Sequence, residues 1–281
     1  MFRTLISTAA LAERVAAPDV VIVDLRHDLS RPDAWGEAQY RAAHLLGAVF
    51  VHVDRDLSAT KTGRNGRHPL PPIEACAALF GRIGIDATKQ VVAYDQNSGA
   101  YASRLWWMLR WLGHEAVAVL DGGFELWVRE GRAVSTDVPR PRAGEFVVRG
   151  TAATVDAEAV QANLGTGNLL VVDARSADRF RGDAEPLDPV AGHIPGAVNR
   201  PFGSNLGTAG TFRPAADLRA EFDALLGGRA PATVVHQCGS GITACHNVLA
   251  MEIAGLTGAR LYPGSWSEWC ADPARPVARG S

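Results

Sequence analysis

The 281-residue sequence has few of the features that mark secreted, membrane-spanning or nucleic-acid-binding proteins. It contains four cysteines without a paired spacing, which favours a reducing compartment. The 28 basic residues nearly balance the 30 acidic ones, so a net charge of −2 argues against nucleic acid or an anionic membrane as partner. No apolar run approaches the ~20 residues of a membrane span. The N-terminal apolar patch runs into Glu13 and Arg14 too early for a secretion signal, so we expect a cytoplasmic protein.

The chain contains an internal duplication. Residues 20–26 (VVIVDLR) recur as 169–175 (LLVVDAR), and residues 44–49 (HLLGAV) recur as 193–198 (HIPGAV), both at an offset of 149. Apolar residues make up 47% of a sequence long enough for two globular domains. The repeat therefore predicts two related domains in tandem.

Each half alternates short apolar runs with helical patterns. Further matches join residues 91–95 to 234–238 and residues 120–127 to 261–269. Such alternation predicts an α/β fold in which each domain has a parallel-rich sheet flanked by helices. A charged, proline-containing stretch separates the halves. We predict domains at residues 1–137 and 151–281, joined by a linker at 138–150.

The most informative stretch is residues 233–246, TVVHQCGSGITACH. It predicts a buried strand, a tight loop and a helix, with Cys238 where the strand ends. Glycines at 239 and 241 let the loop curl so that backbone N–H groups of Gly239, Gly241, Ile242 and Thr243 surround one centre. The helix adds the positive end of its dipole. Cys238 is therefore predicted to be a nucleophile that holds negative charge on sulfur.

Other roles for the cysteines fit the sequence less well. A metal site near the loop would lack the paired Cys-x-x-Cys spacing of structural zinc sites, and a strand, loop and helix would scatter its ligands. Its candidate ligands are His236, Cys238, Cys245 and His246. Cys76 and Cys270 lie in apolar surroundings typical of inert, buried thiols. No metal or cofactor is predicted.

The two halves differ at the nucleophile. Asp95 stands in the first half where Cys238 stands in the second, and residues 96–100 keep only the character of a loop leading into a helix. The first domain is therefore predicted to be catalytically inactive.

These motifs resemble the tandem rhodanese-like sulfurtransferases over essentially the whole chain. The shared features are Asp-x-Arg, His-x-x-Gly-Ala and a Cys-led six-residue loop. The loop CGSGIT at 238–243 is similar to the CGSGVT of members that use 3-mercaptopyruvate, whereas thiosulfate-using members carry CRKGVT with two cations. The resemblance implies a persulfide on Cys238, 3-mercaptopyruvate as the sulfur donor, and cyanide, thioredoxin or another thiol as acceptor. Thiosulfate is the alternative donor on the same scaffold.

The resemblance also implies roles for individual residues. Ser240, His68 and Asp54 correspond to a relay in which an imidazole oriented by a carboxylate manages the proton of a hydroxyl. The alternatives are a capping role for Asp54 and a solvated loop position for His68. Cys-dependent phosphatases on a related fold need an arginine in a Cys-x5-Arg loop, and Ala244 stands there instead.

Arg179 matches the arginine with which the family binds the donor carboxylate. Some members carry a second arginine in the stretch that follows, but residues 185–189 read EPLDP. Arg181 and Arg104 are the candidates to replace it. Arg175 is predicted to form a structural pair with a carboxylate near Asp173.

Overall fold

A computed structural model describes residues 1–151 and 154–281, and these form two compact units. The first unit comprises residues 1–59, 71–152 and 208–212, and the second comprises 60–70, 153–207 and 213–281. Residues 60–70, which the sequence analysis counted with the first half, therefore belong to the second unit. The predicted start of the second domain at 151 adjoins residues 152 and 153, which lie outside the described residues. The predicted domain and linker boundaries stay predictions.

The first unit is built on a five-stranded parallel sheet of order β1-β6-β5-β2-β4, with a separate antiparallel pair β3-β7. Its strands are β1 (Leu5–Ile6), β2 (Val20–Asp24), β3 (His44–Leu45), β4 (Val49–Phe50), β5 (Gln90–Tyr94), β6 (Val117–Leu120) and β7 (Val134–Ser135). Its helices are α1 (Thr8–Ala12), α2 (Trp35–Ala42), α3 (Ile73–Arg82), α4 (Ala102–Trp111) and α5 (Gly123–Arg129).

The second unit repeats this plan on a parallel sheet of order β11-β10-β8-β9. Its strands are β8 (Leu170–Asp173), β9 (Val198–Asn199), β10 (Val234–Gln237) and β11 (Arg260–Leu261). Its helices are α6 (Ala157–Ala162), α7 (Ala177–Arg181), α8 (Ala215–Leu226), α9 (Thr243–Ile253) and α10 (Ser265–Trp269), with 3₁₀ turns at Phe202–Asn205 and Pro231–Thr233. The predicted α/β architecture with parallel sheets is confirmed.

The central strands are buried throughout. All five residues of β5 and all four of β10 are buried, including the polar residues Gln90, His236 and Gln237. Strands of a parallel sheet that is packed on both faces are buried in this way. Within the described residues, no helix is long and apolar enough to cross a membrane.

Strand register brings the chemistry-bearing residues to one edge of the second sheet. Asp173, the last residue of β8, pairs with Gln237, the last residue of β10. Cys238 follows directly, so it lies at the carboxyl edge of the sheet. Open α/β sheets bind ligands at this edge, because the loops after parallel strands gather there.

Candidate active site

Cys238 lies between β10 and α9, and only 2% of its surface is exposed. Its Sγ lies 3.1 Å from the backbone N of Gly241 and 3.5 Å from that of Ser240. Both N–H groups donate toward sulfur, as the predicted cradle requires. Gly239, Ile242 and Thr243 occupy the loop and the first turn of α9, and their contribution to binding stays a prediction.

The glycines of this loop have different physical roles. Gly241 has a φ of +78°, and a Cβ there would lie 2.3 Å from the carbonyl oxygen of Pro263. Both the backbone conformation and the space exclude a side chain. A Cβ on Gly239 would instead meet Nη2 of Arg67 at 2.7 Å and the guanidinium of Arg179 at 3.4 Å. The guanidinium groups of Arg67 and Arg179 therefore lie directly next to Gly239.

The first turn of α10 holds the loop from the other side. The backbone N–H of Trp266 donates to the carbonyl of Cys238 at 3.0 Å, and that of Ser267 donates to the carbonyl of Gly239 at 2.9 Å. The N–H of Cys238 donates to Oγ of Ser265 at 3.1 Å. The backbone N–H and carbonyl of Cys238 are therefore both hydrogen-bonded to the first turn of α10.

Ser240 and His68 meet although 172 residues separate them in sequence. Ser240 Oγ and His68 Nδ1 are 2.7 Å apart, and the hydroxyl donates when Nδ1 carries no proton. His68 is 1% exposed, so its alternative position as a solvated loop residue is wrong. The second unit thus brings together the Cys238 thiol, a hydroxyl and an imidazole.

The segment that carries His68 contacts the start of α10 and Gly264, the residue before it. The N–H of Arg67 donates to Oγ of Ser267 at 3.0 Å. Gly66 has a φ of +80°, and a Cβ there would lie 2.8 Å from the carbonyl oxygen of Gly264. The close approach that Gly66 permits places His68 beside the loop.

Arg179 is held by two carboxylates that are each 3% exposed. Its Nη2 lies 2.7 Å from Glu185 Oε1 and 3.2 Å from Asp188 Oδ2. Asp188 also pairs with Arg67. Burial alone would raise the pKa of Glu185, but hydrogen bonds from Arg179 and from backbone N–H groups hold it below its ordinary value. Residues 185–189, which contain no arginine, therefore supply the two carboxylates that hold the guanidinium groups of Arg179 and Arg67 in place.

Arg67 is the site residue that sequence reasoning missed. Its only local signal is its position next to His68, because its partner Asp188 lies 121 residues away. The two arginines suggested from sequence lie elsewhere. Arg104 is fully buried in the first unit, with Nη2 3.4 Å from the carbonyl of Leu57. Arg181 is 43% exposed and pairs with Asp183.

Arg175 forms a buried, structural ion pair with Asp173 itself, at 2.7 Å, and a second with Glu185 at 3.2 Å. Burial lowers the pKa of Arg175, but Asp173, Glu185 and Cys238 outweigh this effect and leave the pKa above its ordinary value. Arg175 also donates to the carbonyl of Gly192 at 2.7 Å. A permanent cation is thus fixed near Cys238.

Asp54 belongs to the first unit, where two histidines surround it. Its Oδ2 lies 3.5 Å from Nε2 of His27. Its N–H and that of Arg55 both lie 3.2 Å from Nδ1 of His52, whose Nε2 lies 3.1 Å from the carbonyl oxygen of Asp33. Ligand atoms of His27, His52 and Asp54 lie within 4.8 Å of one another, as a metal site would need. Hydrogen bonds already use both ring nitrogens of His52, so these residues fit a hydrogen-bonded cluster better than a metal site.

The first unit has a loop of the same kind, and Asp95 fills it. The Asp95 carboxylate accepts backbone hydrogen bonds of 2.8–3.2 Å. The donors are Asn97, Gly99, Tyr101 and Ala102. Burial raises the pKa of Asp95, and these four N–H groups oppose that shift. The loop N–H groups of the first unit are therefore already bound to a side chain of the protein itself.

The remaining thiols lie outside this cradle. Burial raises the pKa of Cys76 and of Cys270 to about 11, which fits their interpretation as inert thiols. Cys245 Sγ lies 3.3 Å from the carbonyl of Gly241. Burial lowers the pKa of His236 to about 3, so this ring is neutral beside the loop.

Comparison with known proteins identifies the family to which the chain belongs. The rhodanese-like domain family matches residues 7–130 and 156–272. The chain is 45% identical to the "Probable 3-mercaptopyruvate sulfurtransferase" of Pseudomonas aeruginosa, covering 98% of each chain. It is 33% identical to the "Thiosulfate sulfurtransferase" of Cricetulus griseus, covering 100% of this chain and 97% of the relative.

Solved structures give the same result. The 3-mercaptopyruvate sulfurtransferase from Leishmania major is 31% identical, with a TM-score of 0.83 over 95% of this chain and 74% of that one. The resemblance to tandem rhodanese-like sulfurtransferases is thereby confirmed. With two matched domains, a cysteine-led loop in the second and a loop filled by Asp95 in the first, the chain belongs to the rhodanese-like family in its tandem form.

Proposed function

We propose that the protein transfers a sulfur atom from 3-mercaptopyruvate, through a persulfide on Cys238, to a thiol or to cyanide. One arrangement carries this proposal: Cys238 Sγ faces two loop N–H groups, while the adjacent Ser240 hydroxyl contacts His68. The N–H groups stabilise charge on sulfur, and the hydroxyl and imidazole can manage a proton.

The chemistry follows from these contacts. The Cys238 thiolate attacks the donor sulfur, and the carbon–sulfur bond breaks with its electron pair moving to carbon. The carbanion, stabilised as the enolate, takes a proton, and pyruvate leaves. The acceptor then attacks the outer sulfur of the persulfide, the sulfur–sulfur bond breaks, and Cys238 returns as thiolate. The loop N–H groups serve both half-reactions because charge resides on sulfur in each.

Two guanidinium groups can bind the carboxylate of the sulfur donor. Arg179 and Arg67 both border Gly239 and are fixed by Asp188. A carboxylate pairs well with such preorganised guanidiniums. The same pair of cations is the specific observation in favour of thiosulfate, a dianion, as the alternative donor.

Steady-state kinetics with both donors and one common acceptor tests the proposal. We expect kcat/KM for 3-mercaptopyruvate to exceed that for thiosulfate by about 10-fold or more. Arg179→Gln should raise the KM for 3-mercaptopyruvate by roughly 10-fold or more, because a hydrogen bond to a charged group is lost. Arg181→Gln, at an exposed ion pair, is the matched control and should leave KM unchanged. A higher kcat/KM for thiosulfate would instead support the alternative donor.

We propose further that Ser240, His68 and Asp54 act as the relay that protonates the carbon leaving group. Ser240→Ala should lower kcat for 3-mercaptopyruvate about 100-fold, the lower range for general acid–base catalysis. The loss should be much smaller with thiosulfate, because sulfite leaves without needing a proton. Asp54→Asn should show the same donor selectivity, and its effect should not add to that of Ser240→Ala. Equal losses with both donors would contradict the relay.

Cytoplasmic location and the choice of acceptor are part of this proposal. The four cysteines, which all lie within the described residues, form no disulfide with one another, as a reducing compartment favours. Cyanide, thioredoxin and other thiols can each attack an outer persulfide sulfur, and we infer neither nucleic acid nor a membrane as partner.

A further inference from the structure

Ser265 has a backbone conformation that residues with side chains rarely adopt. Its φ is +56°, and among residues 1–151 and 154–281 it is the one non-glycine residue with positive φ. Its side chain is fully buried. Conformations of this kind persist only where surrounding structure enforces them, and they cluster at functional sites.

The duplicated fold supplies an internal comparison. In the first unit, Phe124 N–H donates to the carbonyl of Asp95 at 2.9 Å, as Trp266 N–H does to that of Cys238. The residue before Phe124 is Gly123, which has a φ of +58°. Gly123 and Ser265 thus occupy the same position of the same turn, each facing the residue at the nucleophile position.

The two positions differ in what a side chain meets. A Cβ on Gly123 would lie 2.8 Å from the carbonyl oxygen of Asp95, so glycine fits there without cost. In the catalytic half, the serine is accommodated and its hydroxyl has two partners. Ser265 Oγ accepts the Cys238 N–H at 3.1 Å and donates to the carbonyl of Tyr262 at 2.9 Å. The strained residue is therefore bonded to the nucleophile itself.

We infer that Ser265 is a positioning residue for the reaction, whose hydroxyl holds the Cys238 backbone so that Sγ faces the loop N–H groups. The inference rests on the proposed role of Cys238. Ser265 Oγ binds the Cys238 N–H and Trp266 N–H binds its carbonyl. With both backbone groups held, Sγ stays near Gly241 N–H, which is 3.1 Å away. Loss of the hydroxyl loosens this orientation without removing any group that touches the donor.

Two substitutions separate the hydroxyl from the backbone strain. Ser265→Ala removes the hydroxyl and keeps the left-handed strain, whereas Ser265→Gly removes both. We expect the two variants to lose kcat equally, by about 10-fold, while Ser265→Gly has the higher melting temperature. If residue 265 had an ordinary backbone conformation, Ser265→Ala would have the higher melting temperature, because glycine usually destabilises a folded protein relative to alanine. Ser103→Ala, which removes another buried hydroxyl bonded to a backbone carbonyl, is the matched control.

A second measurement uses no sulfur donor. The rate at which iodoacetamide alkylates Cys238 is followed against pH, with the labelled residue identified by peptide mass. In both Ser265 variants, the alkylation rate at neutral pH and below should fall several-fold, because the loop N–H groups hold the thiolate less well. The Ser103→Ala profile should match that of the unmodified protein.

The outcomes distinguish the inference from the function on which it rests. An unchanged alkylation profile and an unchanged kcat in both Ser265 variants would overturn the positioning role. So would a kcat loss in Ser265→Ala that Ser265→Gly restores, because strain and not the hydroxyl would then be responsible. Turnover in a Cys238→Ser variant would instead overturn the proposed function, whatever the alkylation profiles show.

Discussion

Replacement of Cys238 by serine is expected to reduce sulfur transfer by at least about 1,000-fold, since an unactivated hydroxyl at neutral pH is a far weaker nucleophile than a thiolate. The loop N–H groups would remain, but an oxygen cannot carry the sulfur as a persulfide. The replacement is nearly isosteric at a buried position, so the fold should persist. The measurements are pyruvate release with 3-mercaptopyruvate and the melting temperature.

The covalent intermediate gives this prediction a direct readout. With donor and no acceptor, the unmodified protein should release one equivalent of pyruvate in a burst and gain the mass of one sulfur atom. Cys238→Ser should show neither. Cys76→Ser is the control, because this thiol is buried in the first unit and burial raises its pKa to about 11. Retained turnover in Cys238→Ser, or loss in Cys76→Ser, would contradict the assignment of the nucleophile.

Gly241→Ala is expected to lower kcat/KM by about 100-fold or more and to lower the melting temperature. Its φ of +78° costs a residue with a Cβ roughly 1–2 kcal/mol. The added Cβ would also lie 2.3 Å from the backbone oxygen of Pro263, which cannot rotate away. Either the loop at 238–243 or the turn that contains Pro263 must therefore shift, and this shift moves the Gly241 N–H away from Cys238 Sγ. Removing one such donor typically costs 100- to 1,000-fold in rate.

Gly123→Ala separates loss of stability from loss of chemistry. This glycine also has positive φ, and a Cβ there would approach the carbonyl oxygen of Asp95 at 2.8 Å. The variant should lose stability by a comparable mechanism in the first unit, while its folded fraction keeps its kcat/KM. Should both variants lose kcat/KM in proportion to their melting temperatures, the loop geometry would have no specific catalytic role.

Local pattern accounts for much of what could be predicted. The strand, loop and helix around Cys238 follow from an apolar run, two glycines and a helical pattern, all within 20 residues. The buried pair of Asp173 and Arg175 is also local, because the two residues lie two positions apart in the sequence. Resemblance to a family, and not physical pattern, pointed to Ser240 and His68 before the structure placed them 2.7 Å apart.

Three features of the site could not be predicted from local sequence pattern. Arg67 and Asp188 each look like ordinary surface charges, and only folding brings them together. Glu185 lies in the stretch where some family members carry a second arginine. It is acidic instead, and its carboxylate holds Arg179 in place. Serine at 265 gives no hint of a positive φ, because that conformation is enforced by the turn and by the hydrogen bond to Cys238.

The sequence by itself determined the duplicated α/β plan, because hydrophobic period and glycine position act over short stretches of chain. The same local reading led us to propose Cys238 as the nucleophile and the first half as inactive. The tertiary structure alone decided which cations border the loop, which acids fix them, and how the Cys238 backbone is held. Those contacts join residues up to 200 positions apart, such as Arg67 and Ser267. Contacts at that separation depend on how the strands order within a sheet, which no local pattern specifies.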